Sequence, residues 1–188
     1  MGQCGIELSS EDALDLFLGR STTAVLYHYR DDRRLVPEAC LVKLKARVLQ
    51  RFSGALRPIP GVGSLVSALQ TPFCVASSSD FDRVSLSLAL TGLAGHFGDR
   101  LYTAQMVSRG KPAPDLFLYA AAQMQANPSR TLVIEDSVSG VIAARAAGMT
   151  AWGFVGGSHY RARDGRSMLY NAGADRVFDR MADFWNEG

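Results

Sequence analysis

The sequence lacks the features that mark disulfide-rich, membrane-spanning and nucleic-acid-binding proteins. Its three cysteines, Cys4, Cys40 and Cys74, are widely separated and none lies in a CxxC or Cys/His cluster, which favours reduced thiols over a disulfide framework or a zinc site. No apolar run approaches the roughly 20 residues that span a bilayer, and the N-terminus is not a basic-then-apolar signal. The 20 basic and 18 acidic residues are mixed along the chain, with no Lys/Arg block that would follow a nucleic-acid backbone. We therefore expect a cytoplasmic protein that binds neither membranes nor nucleic acid.

The histidines also lack a pattern. His28, His96 and His159 are scattered and show no metal-ligand spacing, so we interpret them as surface or packed residues. What the sequence does contain is an ordinary globular composition, with 47% hydrophobic and 20% charged residues, far from that of a disordered chain. A chain of 188 residues is long enough to bury a substantial core, either as one domain or as a domain with a small insertion.

The order of predicted elements indicates an α/β protein. The first third of the chain reads as helical, whereas from about residue 58 short apolar runs alternate with helical segments. The predicted strands are 73–76, 101–104, 132–134, 151–155 and 176–178, and the predicted helices are near 62–70, 81–90, 114–125 and 138–147. This alternation predicts βαβ units and a doubly wound parallel sheet. A Pro- and Gly-rich stretch at 54–61 divides the chain into a partial helical cap (1–56) and an α/β core (57–188).

Two segments of the predicted core could bind phosphate. Ser77 directly follows the predicted strand 73–76, so its hydroxyl and the neighbouring backbone N–H groups can face a phosphate oxygen at the carboxyl edge of the sheet. Lys111, between Gly110 and Pro112, lies in a rigid turn from which it can place a point charge on a phosphate. The alternatives are a turn or capping serine and a solvated surface lysine.

A pair of adjacent carboxylates could bind a metal ion. Glu135 and Asp136 end an apolar strand and precede a helix, and two such charges are costly to bring together unless a cation neutralises them. Their oxygen atoms are ligands that suit Mg²⁺. The alternative is that one acid caps the helix N-terminus while the other is solvated.

Taken together and in this order, these motifs resemble the haloacid dehalogenase superfamily, and more closely its phosphatase and β-phosphoglucomutase-like branch. The resemblance covers nearly the whole chain and includes Ser77, Gly-Lys-Pro-Ala-Pro-Asp at 110–115, Val-Ile-Glu-Asp-Ser at 133–137 and Ala-Ala-Gly-Met at 146–149. It implies a Rossmann-like sheet with a small helical cap. It also implies a Mg²⁺-dependent phosphatase that acts on a small phosphorylated metabolite through an aspartyl-phosphate.

The resemblance also assigns roles to individual residues. Ser77 and Ser78 would bind the transferring phosphoryl group, and Lys111 would neutralise that group and orient the nucleophile. Asp136 with Glu135 would coordinate Mg²⁺ directly or through water. The loop that contains Arg20 and Ser21 matches the region of the cap where these enzymes present substrate-selecting residues.

The sequence departs from this family at the catalytic aspartate. The family places an Asp-x-Asp-Gly motif on its first strand, where the first Asp is the nucleophile and the second a general acid and base. The one Asp-x-Asp of this sequence, Asp80-Phe81-Asp82, lacks the glycine and follows Ser77. The missing strand and helix amount to about 20 to 30 residues. We expect that the chain begins at an internal methionine of a longer protein; a natural remnant and a strand supplied by another chain are the alternatives.

Two other functions stay open at this point. A sugar-phosphate mutase uses the same core, and the cap decides whether water or substrate accepts the phosphoryl group. A non-catalytic phosphate-binding or interaction protein would keep Lys111 and Asp136 without the nucleophile.

Overall fold

The computed structural model describes residues 46, 47, 50 and 54–186. The predicted cap (1–56) lies almost entirely outside the described residues, and so do Arg20 and Ser21. Elements are numbered below within the described part of the chain.

Five strands and six α-helices are described from end to end. The strands are β1 (Val75–Ser77), β2 (Leu101–Thr103), β3 (Leu132–Glu135), β4 (Thr150–Phe154) and β5 (Arg176–Phe178). The helices are α1 (Val62–Ala68), α2 (Phe81–Leu90), α3 (Ala94–Phe97), α4 (Asp115–Gln123), α5 (Val138–Ala146) and α6 (Gly165–Asn171). Short 3₁₀ turns at Ala104–Met106, Pro128–Arg130, Ser158–Tyr160 and Met181–Trp185 connect them. All five predicted strands and all four predicted core helices are confirmed, with bounds that agree to about two residues.

Two helices, α3 and α6, are absent from the prediction. Helix α3 is a single turn of four residues, too short to show a 3.6-residue period. Helix α6 begins with a glycine, and its start is fixed by the Asp164 side chain, which accepts a hydrogen bond from the Ser167 N–H at 3.1 Å. An aspartate at the N-cap satisfies one of the backbone N–H groups that the first turn leaves unpaired.

The strands are parallel and form two separate ladders. In the first, β1 pairs with β2, and Ser77 lies opposite Thr103. In the second, β4 lies between β3 and β5, with Glu135 opposite Gly153. No ladder joins β1 to β3 in the described part of the chain. The predicted α/β class with parallel strands is therefore confirmed, and both β1 and β3 keep an edge without a strand partner among the described residues.

Helix α5 packs closely on the second sheet. Its Val141, Ala143 and Ala144 are fully buried and belong to one apolar cluster with Leu169 of α6 and Val177 of β5. Two alanines let the helix axis approach the sheet, and burying a Val or Leu side chain contributes about 1.5–3 kcal/mol. This packing fixes the carboxyl end of β3, from which the acidic pair emerges.

The other face of β3 is poorly covered. Leu132 is 37% exposed and Ile134 is 40% exposed, although strands of a doubly wound parallel sheet are ordinarily buried on both faces. The covering layer on this side is incomplete among the described residues. Within the same part of the chain, no helix is both long and apolar enough to cross a bilayer.

Candidate active site

The predicted site residues of the core lie at the carboxyl ends of strands of the two ladders, and Lys111 contacts both β1 and β3. Ser77 ends β1, Glu135 ends β3, and Lys111 comes from the loop between β2 and α4. This is the carboxyl edge of the strands, where doubly wound α/β proteins bind their ligands.

Lys111 is a buried lysine that joins the ends of β1 and β3. Its residue is 6% exposed, and its Nζ donates to the backbone oxygen of Ala76 at 3.1 Å and forms an ion pair with the Glu135 carboxylate. The same Nζ lies 4.5 Å from the centre of the Phe117 ring, a cation–π distance. The alternative of a solvated surface lysine is therefore wrong.

The loop around Lys111 is closed by a second ion pair. Arg109 donates two parallel hydrogen bonds to Asp115, with Nε to Oδ2 at 3.0 Å and Nη2 to Oδ1 at 2.8 Å. Between these residues the Ala113 N–H donates to the Gly110 oxygen at 3.0 Å, and the Lys111–Pro112 peptide is cis. Because Asp115 is the first residue of α4, the pair attaches the loop to the helix.

The Glu135 side chain points inward, and both of its carboxylate oxygens have partners. One carboxylate oxygen pairs with Lys111, while the other accepts from the Asp136 N–H at 3.0 Å, the Ser137 N–H at 3.0 Å and the Ser137 hydroxyl at 2.8 Å. A buried carboxylate needs this number of donors because desolvation is otherwise costly. Glu135 therefore fixes both the lysine and the turn that follows β3.

The helix after the acidic pair is capped by a serine. The Ser137 hydroxyl accepts from the Gly140 N–H at 3.1 Å, which is the usual N-cap interaction. The alternative that one of the two acids occupies the N-cap of α5 is therefore wrong.

Gly140 is a site residue that sequence reasoning missed. A Cβ atom at this position would overlap the carboxyl group of Glu135, so any larger residue would displace the partner of Lys111. Its signal in the sequence was a glycine in the first turn of a helix, where a close approach of another group is one of the usual reasons for that residue.

Asp136 faces solvent beside its buried neighbour. Its side chain is 55% exposed, and its Oδ2 lies 3.9 Å from Nε2 of His159, beyond hydrogen-bonding distance. Although solvent reaches this carboxylate, the protein around it displaces much of the bulk water, and this desolvation raises the pKa of Asp136. The Glu135 charge raises that pKa further, whereas His159 opposes the rise. A nearby cation would favour the charged form.

The acidic pair can supply part of a magnesium site. Mg²⁺ takes oxygen ligands and commonly binds through one or two carboxylates while it keeps several waters, and the exposed Asp136 carboxylate fits this requirement. The described residues contain no group of three or more His, Cys, Asp or Glu side chains that could hold a metal. Further ligands would therefore have to be water, substrate or residues outside the described part.

Ser77 and Ser78 lie half-buried where the chain leaves β1. The Ser77 hydroxyl accepts from the Ser79 N–H at 3.1 Å. This side chain therefore stabilises the turn, in agreement with the alternative of a turn serine. Opposite it, the Thr103 hydroxyl is buried without a hydrogen-bond partner among the described residues. The pair Asp80 and Asp82 lies at the start of α2, not on a strand, in keeping with its exclusion as the catalytic motif.

Comparison with known proteins places this arrangement in one family. The profile of haloacid dehalogenase-like hydrolases matches residues 11–148. The chain is 30% identical to 6-phosphogluconate phosphatase of Escherichia coli K12 over 161 residues, which are 82% of this chain and 71% of that protein. It is 35% identical to fructose-1-phosphate phosphatase YqaB of the same organism over 118 residues, and there it spans 62% of the relative's length.

A solved structure agrees with the sequence comparison. A haloacid dehalogenase family hydrolase from Deinococcus radiodurans R1, with bound phosphate and sodium, has a TM-score of 0.72 at 33% identity and covers 97% of this chain and 81% of that one. This chain therefore belongs to the haloacid dehalogenase-like hydrolases, in the branch that contains the phosphate-ester hydrolases.

Proposed function

We propose that this protein is a Mg²⁺-dependent phosphatase of a small phosphorylated metabolite. The observation that carries the proposal is the position of the Lys111 ammonium group, which is buried between the ends of β1 and β3, paired with Glu135 and next to the solvent-exposed Asp136. A fixed positive charge beside an exposed carboxylate suits a phosphate–metal complex.

Each residue has a role that its geometry permits. Lys111 draws the phosphoryl oxygens to the carboxyl edge of the sheet, and Glu135 keeps its ammonium group in place. The last residue of β1, Ser77, and the turn after it, with Ser78, offer hydroxyl and N–H donors to the same group. Asp136, with Glu135 behind it, would hold Mg²⁺, which when bound neutralises charge on the phosphoryl oxygens.

The cap is proposed to select the metabolite. In this assignment 1–56 forms the cap and 57–188 the core, and Arg20 and Ser21 contact the part of the substrate that leaves as an alcohol. The relatives from Escherichia coli are named for 6-phosphogluconate and fructose 1-phosphate, which supports a phosphorylated sugar or sugar acid as the substrate.

The nucleophile is proposed to enter on an extended segment between β1 and β3. The reaction breaks the phosphorus–oxygen bond of the ester and forms an aspartyl-phosphate, which water then hydrolyses. No Asp-x-Asp-Gly precedes Ser77 in this sequence. The edges of β1 and β3 that have no strand partner among the described residues would hydrogen-bond a parallel strand, whose carboxyl end would then lie beside Lys111.

The test is release of inorganic phosphate from p-nitrophenyl phosphate and from hexose phosphates, with MgCl₂ and with EDTA. It compares this chain with a version preceded by a strand and helix that carry Asp-x-Asp-Gly. We expect Mg²⁺-dependent turnover by the extended version, lost in Lys111→Ala and Asp136→Asn and kept in Arg130→Ala, which alters an exposed arginine before the amino end of β3, at the opposite end of that strand from Glu135. An inactive extended version would contradict the hydrolase assignment, and transfer of phosphate to a sugar in place of water would indicate a mutase.

A further inference from the structure

The loop after β4 contacts the backbone of the acidic pair. The Tyr160 hydroxyl donates to the Asp136 carbonyl oxygen at 2.8 Å, and Nε2 of His159 lies 3.3 Å from the same oxygen. The second contact is a hydrogen bond when Nε2 carries the hydrogen, which is true of the imidazolium and of one neutral tautomer. One peptide oxygen therefore faces two side-chain donors.

These contacts complete a clamp on the Asp136 peptide groups. From the inner side, Glu135 accepts the Asp136 N–H at 3.0 Å. From the outer side, Tyr160 and His159 hold the carbonyl of the same residue. Both peptide groups next to the Asp136 Cα are therefore held. These backbone contacts set the direction in which the Asp136 carboxylate leaves the chain.

The two donors are themselves fixed by close packing. Tyr160 is 6% exposed, and its ring centre lies 4.3 Å from that of His159. A Cβ atom at Gly157 would lie 2.6 Å from the His159 ring, and one at Gly165 would overlap the Tyr160 ring. The loop thus has glycine at two positions where a larger residue would displace the rings.

We propose that His159 and Tyr160 are positioning residues that direct the Asp136 carboxylate toward the metal. This inference rests on the proposed function, because it takes Asp136 as a Mg²⁺ ligand. Removal of the groups that orient a metal ligand typically weakens metal binding by about 10- to 100-fold, because a ligand that is free to reorient binds the metal less tightly. The spacing of the histidines in the sequence gave no sign of this role.

The test is calorimetric titration of the 188-residue chain with MgCl₂, together with the unfolding temperature without metal. The variants are Tyr160→Phe, which removes the hydroxyl alone, His159→Ala, and His159→Gln, whose amide can donate to the same carbonyl. Tyr170→Phe and His96→Ala are the matched controls, because Tyr170 is 50% exposed on α6 and His96 lies on α3. Asp136→Asn identifies which binding belongs to this site.

We expect Tyr160→Phe to raise the Kd for Mg²⁺ about tenfold, His159→Ala to raise it by a smaller factor, and His159→Gln to restore most of the affinity. A merely structural role would lower the unfolding temperature and leave the Kd of the folded protein unchanged. Binding by Tyr160→Phe and His159→Ala within twofold of the wild type would overturn this inference alone. Failure of the wild type to bind Mg²⁺ in an Asp136-dependent way would overturn both this inference and the metal role in the proposed function.

Discussion

Lys111 and Glu135 form a buried ion pair that joins the loop after β2 to the end of β3. Their side chains are 4% and 9% exposed, so each charge depends on the other to offset the loss of water. The pair also fixes the position of the Lys111 ammonium group, for which we propose phosphate binding.

The first prediction concerns this pair. Glu135→Gln leaves the lysine charge buried without a negative partner, so we expect the free energy of unfolding to fall by about 3–5 kcal/mol. Asp179→Asn is the control, because the Arg166–Asp179 pair is about half exposed on both sides and such pairs contribute about 0–1 kcal/mol. Urea denaturation of the two variants measures the difference. Equal losses would show that the buried Lys111–Glu135 pair contributes no more to the free energy of unfolding than the exposed pair does.

The second prediction concerns Gly140. Gly140→Ala places a methyl group where the Glu135 carboxyl group lies, so we expect a loss of about 1–3 kcal/mol from overpacking and weaker binding of phosphate. Gly95→Ala, also within a helix, is the control because a Cβ there would meet nothing within 4 Å. That change should stabilise by about 0.4–1 kcal/mol. Thermal unfolding and phosphate titration of both variants test the prediction, which fails if Gly140→Ala is as well tolerated as Gly95→Ala.

The third prediction concerns pH. The hydrogen bonds from Arg109 lower the pKa of Asp115, so the folded chain holds this carboxylate ionised to lower pH than the unfolded chain does. The resulting stabilisation is complete above the unfolded pKa of about 4 and is lost as pH falls through the folded pKa. We expect Asp115→Asn to be less stable than the wild type at pH 6 and the difference to shrink toward pH 3. Arg109→Ala should remove the same pH-dependent component; if it does not, Arg109 is not the cause.

The fourth prediction concerns the packing that supports the site. Leu169 of α6 is fully buried, and a Leu→Ala change in a core costs about 2–5 kcal/mol. Leu118→Ala in α4 is the matched control because Leu118 is 40% exposed. Chemical denaturation should separate the two variants clearly. Comparable losses would place Leu169 outside the cooperative core.

The elements of the core were predictable because strands and helices of this size leave periodic patterns. The predicted bounds of strand β5, Arg176–Phe178, are those of the structure, because turn-forming residues flank this strand on both sides. Helices α3 and α6 were missed because one turn and a glycine-initiated two turns carry too little periodic signal.

The site was predictable as a set of positions, but its internal contacts were not. Sequence motifs indicated Lys111, Glu135 and Asp136, and the structure brings the first two into contact with the third beside them. What the sequence did not reveal was that Glu135 points inward while Asp136 points outward, because that choice depends on the room left by Gly140. The contacts from His159 and Tyr160 join residues 23 and 24 positions apart, a separation at which no local pattern operates.

The poorly covered face of β3 has a consequence for handling this chain. Leu132 and Ile134 are exposed next to strand edges that have no ladder partner in the described part, and unprotected edges of this kind recruit strands from other molecules. Where no other segment covers them, these edges would pair with strands of other copies, and sedimentation velocity would detect association that rises with concentration. A strand that fills the space between β1 and β3 would then act as a solubilising element as well as a chemical one.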